Sequence, residues 1–408
     1  MDWEEESPRL TVADRTSPAW LERRQEIERL GADLWQTEGF RGQGVKVAVL
    51  DTGFRSYRNF LGSVLPPQVE TRSFRSDRNL EARNSQHGIL CGEVIHAIAP
   101  DAQLLFANWD LDRPEEFLDA IRWARTEGAR VVSCSVVTPS WSDGDGDGEI
   151  HRELASLLGP GRSPGDLLCF ASAGNTTERH WGGLFQAGAD GFHQWQPGQI
   201  DNPVTPWARD PVSVQLYGHP GSEYDLVVLD SETEEVVAQA HTDSHHGEWT
   251  SAVVRFLPTE GRGYLVRTRL TSGHGGPFHV TTMESSLGYT TARASVCFPG
   301  DGPEVVAMGA VDYSKHRVWY SACGPNSRQP KPDFVATIPF PSLWRARPFA
   351  GTSAAAPQGA ALAALCWCRH PQWNADQIRA ALRAAAEDLC TPGPDWETGY
   401  GLIRLPRD

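Results

Sequence analysis

Four short blocks along the 408-residue chain carry residue types that could do chemistry together. Val47-Ala48-Val49-Leu50-Asp51-Thr52-Gly53 ends a valine-rich run on a carboxylate. Open α/β sheets place their sites beyond the carboxyl ends of such strands. An Asp there can accept a hydrogen bond from an imidazole and fix its tautomer, or it can simply close an Asx turn. Gln86-His87-Gly88 offers the imidazole at a predicted helix start, next to a glycine that permits close backbone approach. The chain has 13 histidines, so His87 alone is a weak signal. Ala171-Ser172-Ala173-Gly174-Asn175 sets a carboxamide just past another apolar run. A side-chain N–H there could stabilise an oxyanion, although Gly-Asn is also an ordinary turn pair. Gly351-Thr352-Ser353-Ala354-Ala355-Ala356-Pro357 puts a hydroxyl at the amino end of an apolar helix, among residues small enough to admit a peptide backbone. Free N–H groups and the helix dipole favour developing negative charge at such an end. Pro357 is expected within the first turn, where no intrahelical donor is lost.

The elements around these blocks alternate. A helix is expected over 17–39 from the Ser17-Pro18 start signal, then a buried strand over 45–50. Helices follow over 87–98, 114–127 and 150–158, with strands over 103–107, 130–137 and 167–171. This alternation predicts an α/β fold with a doubly wound, mostly parallel sheet. From Trp181 the texture changes to runs alternating apolar and polar residues, among them Val212–Leu216, Tyr224–Leu229 and Ser251–Phe256, parted by Gly, Pro, Asp and Ser clusters. That pattern predicts an all-β sandwich of about 100 residues. The α/β texture resumes near Val296, with a strand over 304–311 and helices over 353–368 and 374–385. The expected organisation is a discontinuous α/β domain, 1–180 and 291–408, interrupted by a β domain over 181–290.

A formal net charge of −15 argues against nucleic acid or an anionic membrane as partner. The first 20 residues show no basic n-region and no apolar core, and no apolar run reaches about 18 residues, so neither a signal peptide nor a spanning helix is expected. Most of the eight cysteines sit in apolar runs, as buried free thiols would in the cytoplasm. Export without a signal peptide stays open. The alternating carboxylates of 143–149 suggest a calcium loop, but position twelve of such a loop is Leu154. A solvated acidic loop is expected instead, and no metal site is predicted.

The four blocks, in this order, resemble the subtilisin-like serine peptidases, whose chain order is Asp, His, Ser. Arg29–Gly53, Val305–Asp312, Ser321–Pro325, Lys331-Pro332-Asp333 and Asp395–Leu402 resemble the family as well. The resemblance spans roughly 1–180 and 291–408. It implies a serine endopeptidase with Ser353 as nucleophile, His87 as general base, Asp51 as its partner and Asn175 in the oxyanion hole. It further implies that Ser135, Val136 and Val137, with Ser172, Ala173 and Gly174, bind a peptide or protein substrate. No cofactor is required by that reaction, and nothing indicates the oligomeric state.

Departures from the family pattern carry expectations of their own. Ile89 replaces a usual threonine, Glu93 a usual glycine, Ala354 a frequent methionine, and Gln358-Gly359 a frequent His-Val. Val137 stands where a glycine is usual, which should narrow the first specificity pocket. The 178 positions between Asn175 and Ser353 exceed what a minimal member needs, and the excess is the β domain. That domain leaves the chain beside Asn175, so it is expected to overhang the cleft and help select substrates. With about 50 residues before Asp51, the usual inhibitory propeptide is not expected. Two rivals remain. Asp51-Thr52-Gly53 also fits an aspartic peptidase, which would need a second such carboxylate from a dimer partner. A catalytically silent relative could instead use the β domain to bind a protein or glycan.

Overall fold

Strand Lys46–Leu50 is buried almost throughout, and its two faces feed two different cores. Val47 and Val49 pack into one hydrophobic cluster, and Ala48 and Leu50 into the other. A strand covered on both sides reads as a continuous apolar run, which is why Val45–Leu50 lacks alternation. The computed structural model describes residues 16–188, 190–245, 249–326 and 329–406. The segment 1–15, which holds most of the stretch inspected for a signal peptide, lies outside them. Among the described residues, no helix is long and apolar enough to cross a membrane.

Seven parallel strands form the main sheet. Their spatial order is Phe334–Thr337, Val306–Val311, Leu168–Ser172, Val131–Cys134, Lys46–Leu50, Gln103–Asn108 and Val69–Ser73. Helices His87–Ile98, Thr352–Arg369 and Ala375–Ala385 contribute to the core on one face, and Pro114–Thr126 with Glu149–Leu158 to that on the other. The doubly wound α/β class expected from the alternation is what the chain adopts. Strands drawn entirely from 180–287 make two five-stranded antiparallel sheets. Tyr224, Leu226, Val214, Leu216, Val266 and Phe278 from both sheets share a core.

The helix expected over 17–39 is two helices, Pro18–Arg29 and Ala32–Thr37. Gly31 breaks it by adopting a left-handed φ of 75°. Strands Val69–Ser73 and Phe334–Thr337 were not expected. The first lies at the sheet edge with a mostly exposed polar sequence, and the second is only four residues long, so neither carries a clear periodic signal.

Candidate active site

Asp51 follows strand Lys46–Leu50 at its carboxyl end and is completely buried. Its Oδ1 accepts the Thr52 backbone N–H at 2.8 Å, and its Oδ2 lies 2.8 Å from His87 Nδ1. This bond places the proton on Nδ1 and leaves Nε2 as the basic nitrogen. His87 opens helix His87–Ile98. Gly88 is needed beside it because a Cβ there would fall 2.4 Å from the Phe54 ring. Phe349 packs edge-on against the imidazole at 5.3 Å between ring centres. Burial is the largest influence on His87 and depresses its pKa. The charge and hydrogen bond of Asp51 together outweigh that, against a smaller opposing effect of Arg345, so the net shift is upward.

Ser353 is the second residue of helix Thr352–Arg369. Pro357 lies well inside this helix, beyond the first turn where it was expected. Its missing N–H would have bonded the Ser353 carbonyl four residues back. Two side chains from elsewhere take that freed carbonyl. The Ser135 hydroxyl donates to it at 3.0 Å, and the Cys91 thiol approaches at 3.9 Å. Cys91 stands one helical turn after His87, and its sulfur also lies 3.5 Å from Asp51 Oδ2. The thiol therefore ties the serine helix to the carboxylate. The Ser353 hydroxyl itself donates to the Ser135 carbonyl at 3.3 Å rather than to His87.

Asn175 is fixed from one side only. Its Oδ1 accepts both the backbone N–H and the hydroxyl of Thr352 at 3.0 Å, which settles which end of the amide carries the NH2 group. Its Nδ2 makes no hydrogen bond among the described residues. Gly351, at a φ of 85°, keeps space open there, since a Cβ would stand 2.9 Å from Nδ2. The Ser353 backbone N–H, one of the orphan donors of its helix, likewise has no partner among the described residues. Two unspent donors thus flank the serine.

The profile of the Subtilase family matches residues 42–401. The chain belongs to the subtilase family. It is 29% identical over 126 residues to Subtilisin DY of Bacillus licheniformis, covering 31% of this chain and 44% of that one. With Subtilisin E of Bacillus subtilis (strain 168) it shares 31% identity over 128 residues, covering 31% of this chain and 32% of the other. The matched stretch thus spans less than half of either subtilisin. The fold is shared with the Clostridium perfringens CspB protease, at a TM-score of 0.64 and 14% identity over 91% of this chain and 94% of that one. A lanthipeptide protease gives 0.52 and 17% identity, with 98% of each chain covered.

Within this subtilase, Ser135 and Val136 are buried and Val137 half-buried, directly beyond strand Val131–Cys134. Ser172 and Ala173 are buried, and the Gly174 N–H donates to the Thr352 hydroxyl at 3.2 Å. In the acidic loop, Asp143 Oδ1 accepts backbone N–H groups of Asp145, Gly146 and Asp147 at 3.0, 2.8 and 3.3 Å. That carboxylate closes the loop on itself. Among the described residues, donor atoms of the kind that hold metals converge at Asp51, His87 and Cys91, within 4.8 Å of one another. Burial, then the Asp51 charge, holds the Cys91 thiol far above its usual pKa and keeps it protonated. The three side chains form one hydrogen-bonded cluster. By its apolar surroundings in the sequence, Cys91 is one more buried free thiol. Its position four residues after His87, on the same helix face, was the available signal.

Proposed function

We propose that the chain is a serine endopeptidase acting on peptide or protein substrates through an acyl-enzyme. The observation that carries this reading is the buried Asp51–His87 bond of 2.8 Å beside a serine flanked by two unspent N–H donors. In the proposed cycle, rotation about the Ser353 Cα–Cβ bond turns the hydroxyl from the Ser135 carbonyl towards His87 Nε2. His87 takes the proton as the Ser353 oxygen attacks the scissile carbonyl, and later gives it to the leaving amine. Asp51 keeps Nδ1 protonated and stabilises the imidazolium. Asn175 Nδ2 and the Ser353 N–H receive the oxyanion. These groups suffice without a cofactor. Asp51 is committed to His87, which favours this chemistry over that of an aspartic peptidase.

A fluorophosphonate probe followed by mapping of the modified residue tests the proposal. Labelling at Ser353, lost in Ser353→Ala, supports it. An unlabelled, folded protein would instead favour a silent binding relative, and inhibition by pepstatin alone an aspartic peptidase. Loss of the oxyanion asparagine lowers turnover about 100- to 1,000-fold in subtilisin, and the same range is carried over to Asn175→Ala.

The β insert is proposed to help select substrates. Its Gln215 Oε1 accepts the Ser140 N–H at 3.0 Å, and its Trp249 Nε1 donates to the Ser140 carbonyl at 3.3 Å. Ser140 lies three residues past Val137, so the insert supports one proposed wall of the cleft. Cleavage-site profiles of the protein with and without 185–288 test this, and identical profiles count against it. The cytoplasm is the proposed place of action, supported by eight cysteines that are all free thiols.

A further inference from the structure

Arg179 is 93% buried, since its relative exposure is 7%, yet no described carboxylate pairs with it. Burying a guanidinium without an ion pair is unfavourable unless its N–H groups are well used. Nε donates to the Asn175 backbone carbonyl at 2.8 Å, and a terminal nitrogen donates to the same oxygen. The guanidinium also lies 4.8 Å from the ring centre of Trp207, which belongs to the β insert. Glu284, also in the insert, is the carboxylate whose charge acts on it most.

The segment around Arg179 is anchored to both parts of the molecule. Its carbonyl accepts the Thr282 N–H of the insert at 2.8 Å. On the α/β side, the Thr176 hydroxyl donates to the Ser295 carbonyl at 2.7 Å and the Thr177 hydroxyl to the Trp319 carbonyl at 2.6 Å. The chain leaves the parallel sheet here and enters strand His180–Leu184 of the insert. Thr352 holds the side chain of Asn175 while Arg179 holds its backbone, so the free Nδ2 is located from two directions.

We infer that Arg179 is a positioning residue for the oxyanion donor Asn175, and that through Trp207 it couples the β insert to the reacting centre. The inference rests on the peptidase reading above. Two guanidinium nitrogens on one carbonyl fix the Asn175 backbone, and with it the position from which Nδ2 donates. That positioning acts in the transition state more than in substrate binding.

Full-length Arg179→Met, Arg179→Lys and Trp207→Ala would be assayed on a peptide substrate and against a peptide aldehyde, whose hemiacetal with serine sets an oxyanion in the hole. For Arg179→Met, kcat should fall about tenfold or more with KM within about threefold, and aldehyde affinity should weaken in parallel. Arg179→Lys keeps the charge without the planar fork and should recover part of the loss. Trp207→Ala should move the same quantities by a smaller factor. Unchanged kcat and aldehyde affinity in a folded Arg179→Met protein would overturn the inference. If that variant does not fold, wild-type values in both Arg179→Lys and Trp207→Ala would do the same. Failure of the wild type to take the fluorophosphonate label would instead remove the peptidase reading beneath it.

Discussion

Glu93 stands where the family usually has glycine, and neutralising it should loosen the loop that leads to the serine. Its side chain is only 2% exposed and pairs with Arg23, itself 9% exposed, from the first helix. Glu93 also accepts the Ser342 hydroxyl and the Leu343 N–H, both at 2.8 Å. Arg23 in turn donates to the Pro341 carbonyl at 3.1 and 2.8 Å. The loop so gripped runs on to Phe349, which touches His87, and then to Ser353. Glu93→Gln keeps the shape but leaves a buried guanidinium without its counter-charge. Breaking a buried pair from one side costs about 3–5 kcal/mol. The Pro341 carbonyl still compensates Arg23 in part, so the lower figure, about 3 kcal/mol, is expected. A unit of this size should then melt about 3–5 °C lower. Thermal melts of wild type, Glu93→Gln, Arg23→Met and the double variant form the assay. The double variant should be more stable than the sum of the singles implies, by at least about 1 kcal/mol. Additivity of the two substitutions, or a loss below about 1 kcal/mol in Glu93→Gln, would refute the reasoning.

The Asp51 charge and hydrogen bond hold the His87 pKa above its ordinary 6.5, so the acid limb of kcat/KM should be centred above that value, with activity rising as the proton leaves. Arg345→Met removes a charge that opposes protonation and should move the midpoint further up; a pH–rate profile moving down would contradict this. Val137→Gly should raise kcat/KM for large side chains at the first subsite, relative to alanine, by about 10- to 100-fold on a panel of peptide substrates. From the antiparallel sheets, His180 Nδ1–H donates to the Thr291 carbonyl at 2.9 Å, so its Nε2 must accept from His279 Nδ1, also at 2.9 Å. Burial, reinforced at His279 by the His180 charge, lowers these imidazoles to about 4 and about 3. The unfolded chain then binds the extra protons, so stability should fall as pH drops from 6.5 towards 4, by up to about 1.4 kcal/mol per pH unit for each. Denaturation midpoints measured across that range check it, and His279→Gln should flatten the slope.

Local pattern decided much of this protein. A valine-rich run ending in Asp51 suits a strand covered on both faces, and the alternating runs after Trp181 suit antiparallel sheets that share one core. Those constraints act between neighbours in sequence, so they are legible there, as is the conjunction of four chemical blocks in family order. Edge strand Val69–Ser73 escaped because an edge needs little burial. Pro357 escaped differently. Its place inside the helix frees the Ser353 carbonyl, and the partner that takes it, Ser135, lies 218 positions away. Arg23 reaches Glu93 across 70 positions, and Thr352 fixes Asn175 across 177. Backbone torsions and facing are set by adjacent residues and so are written locally. Which buried polar group satisfies which other is set by where distant segments meet, and only the folded chain decides that.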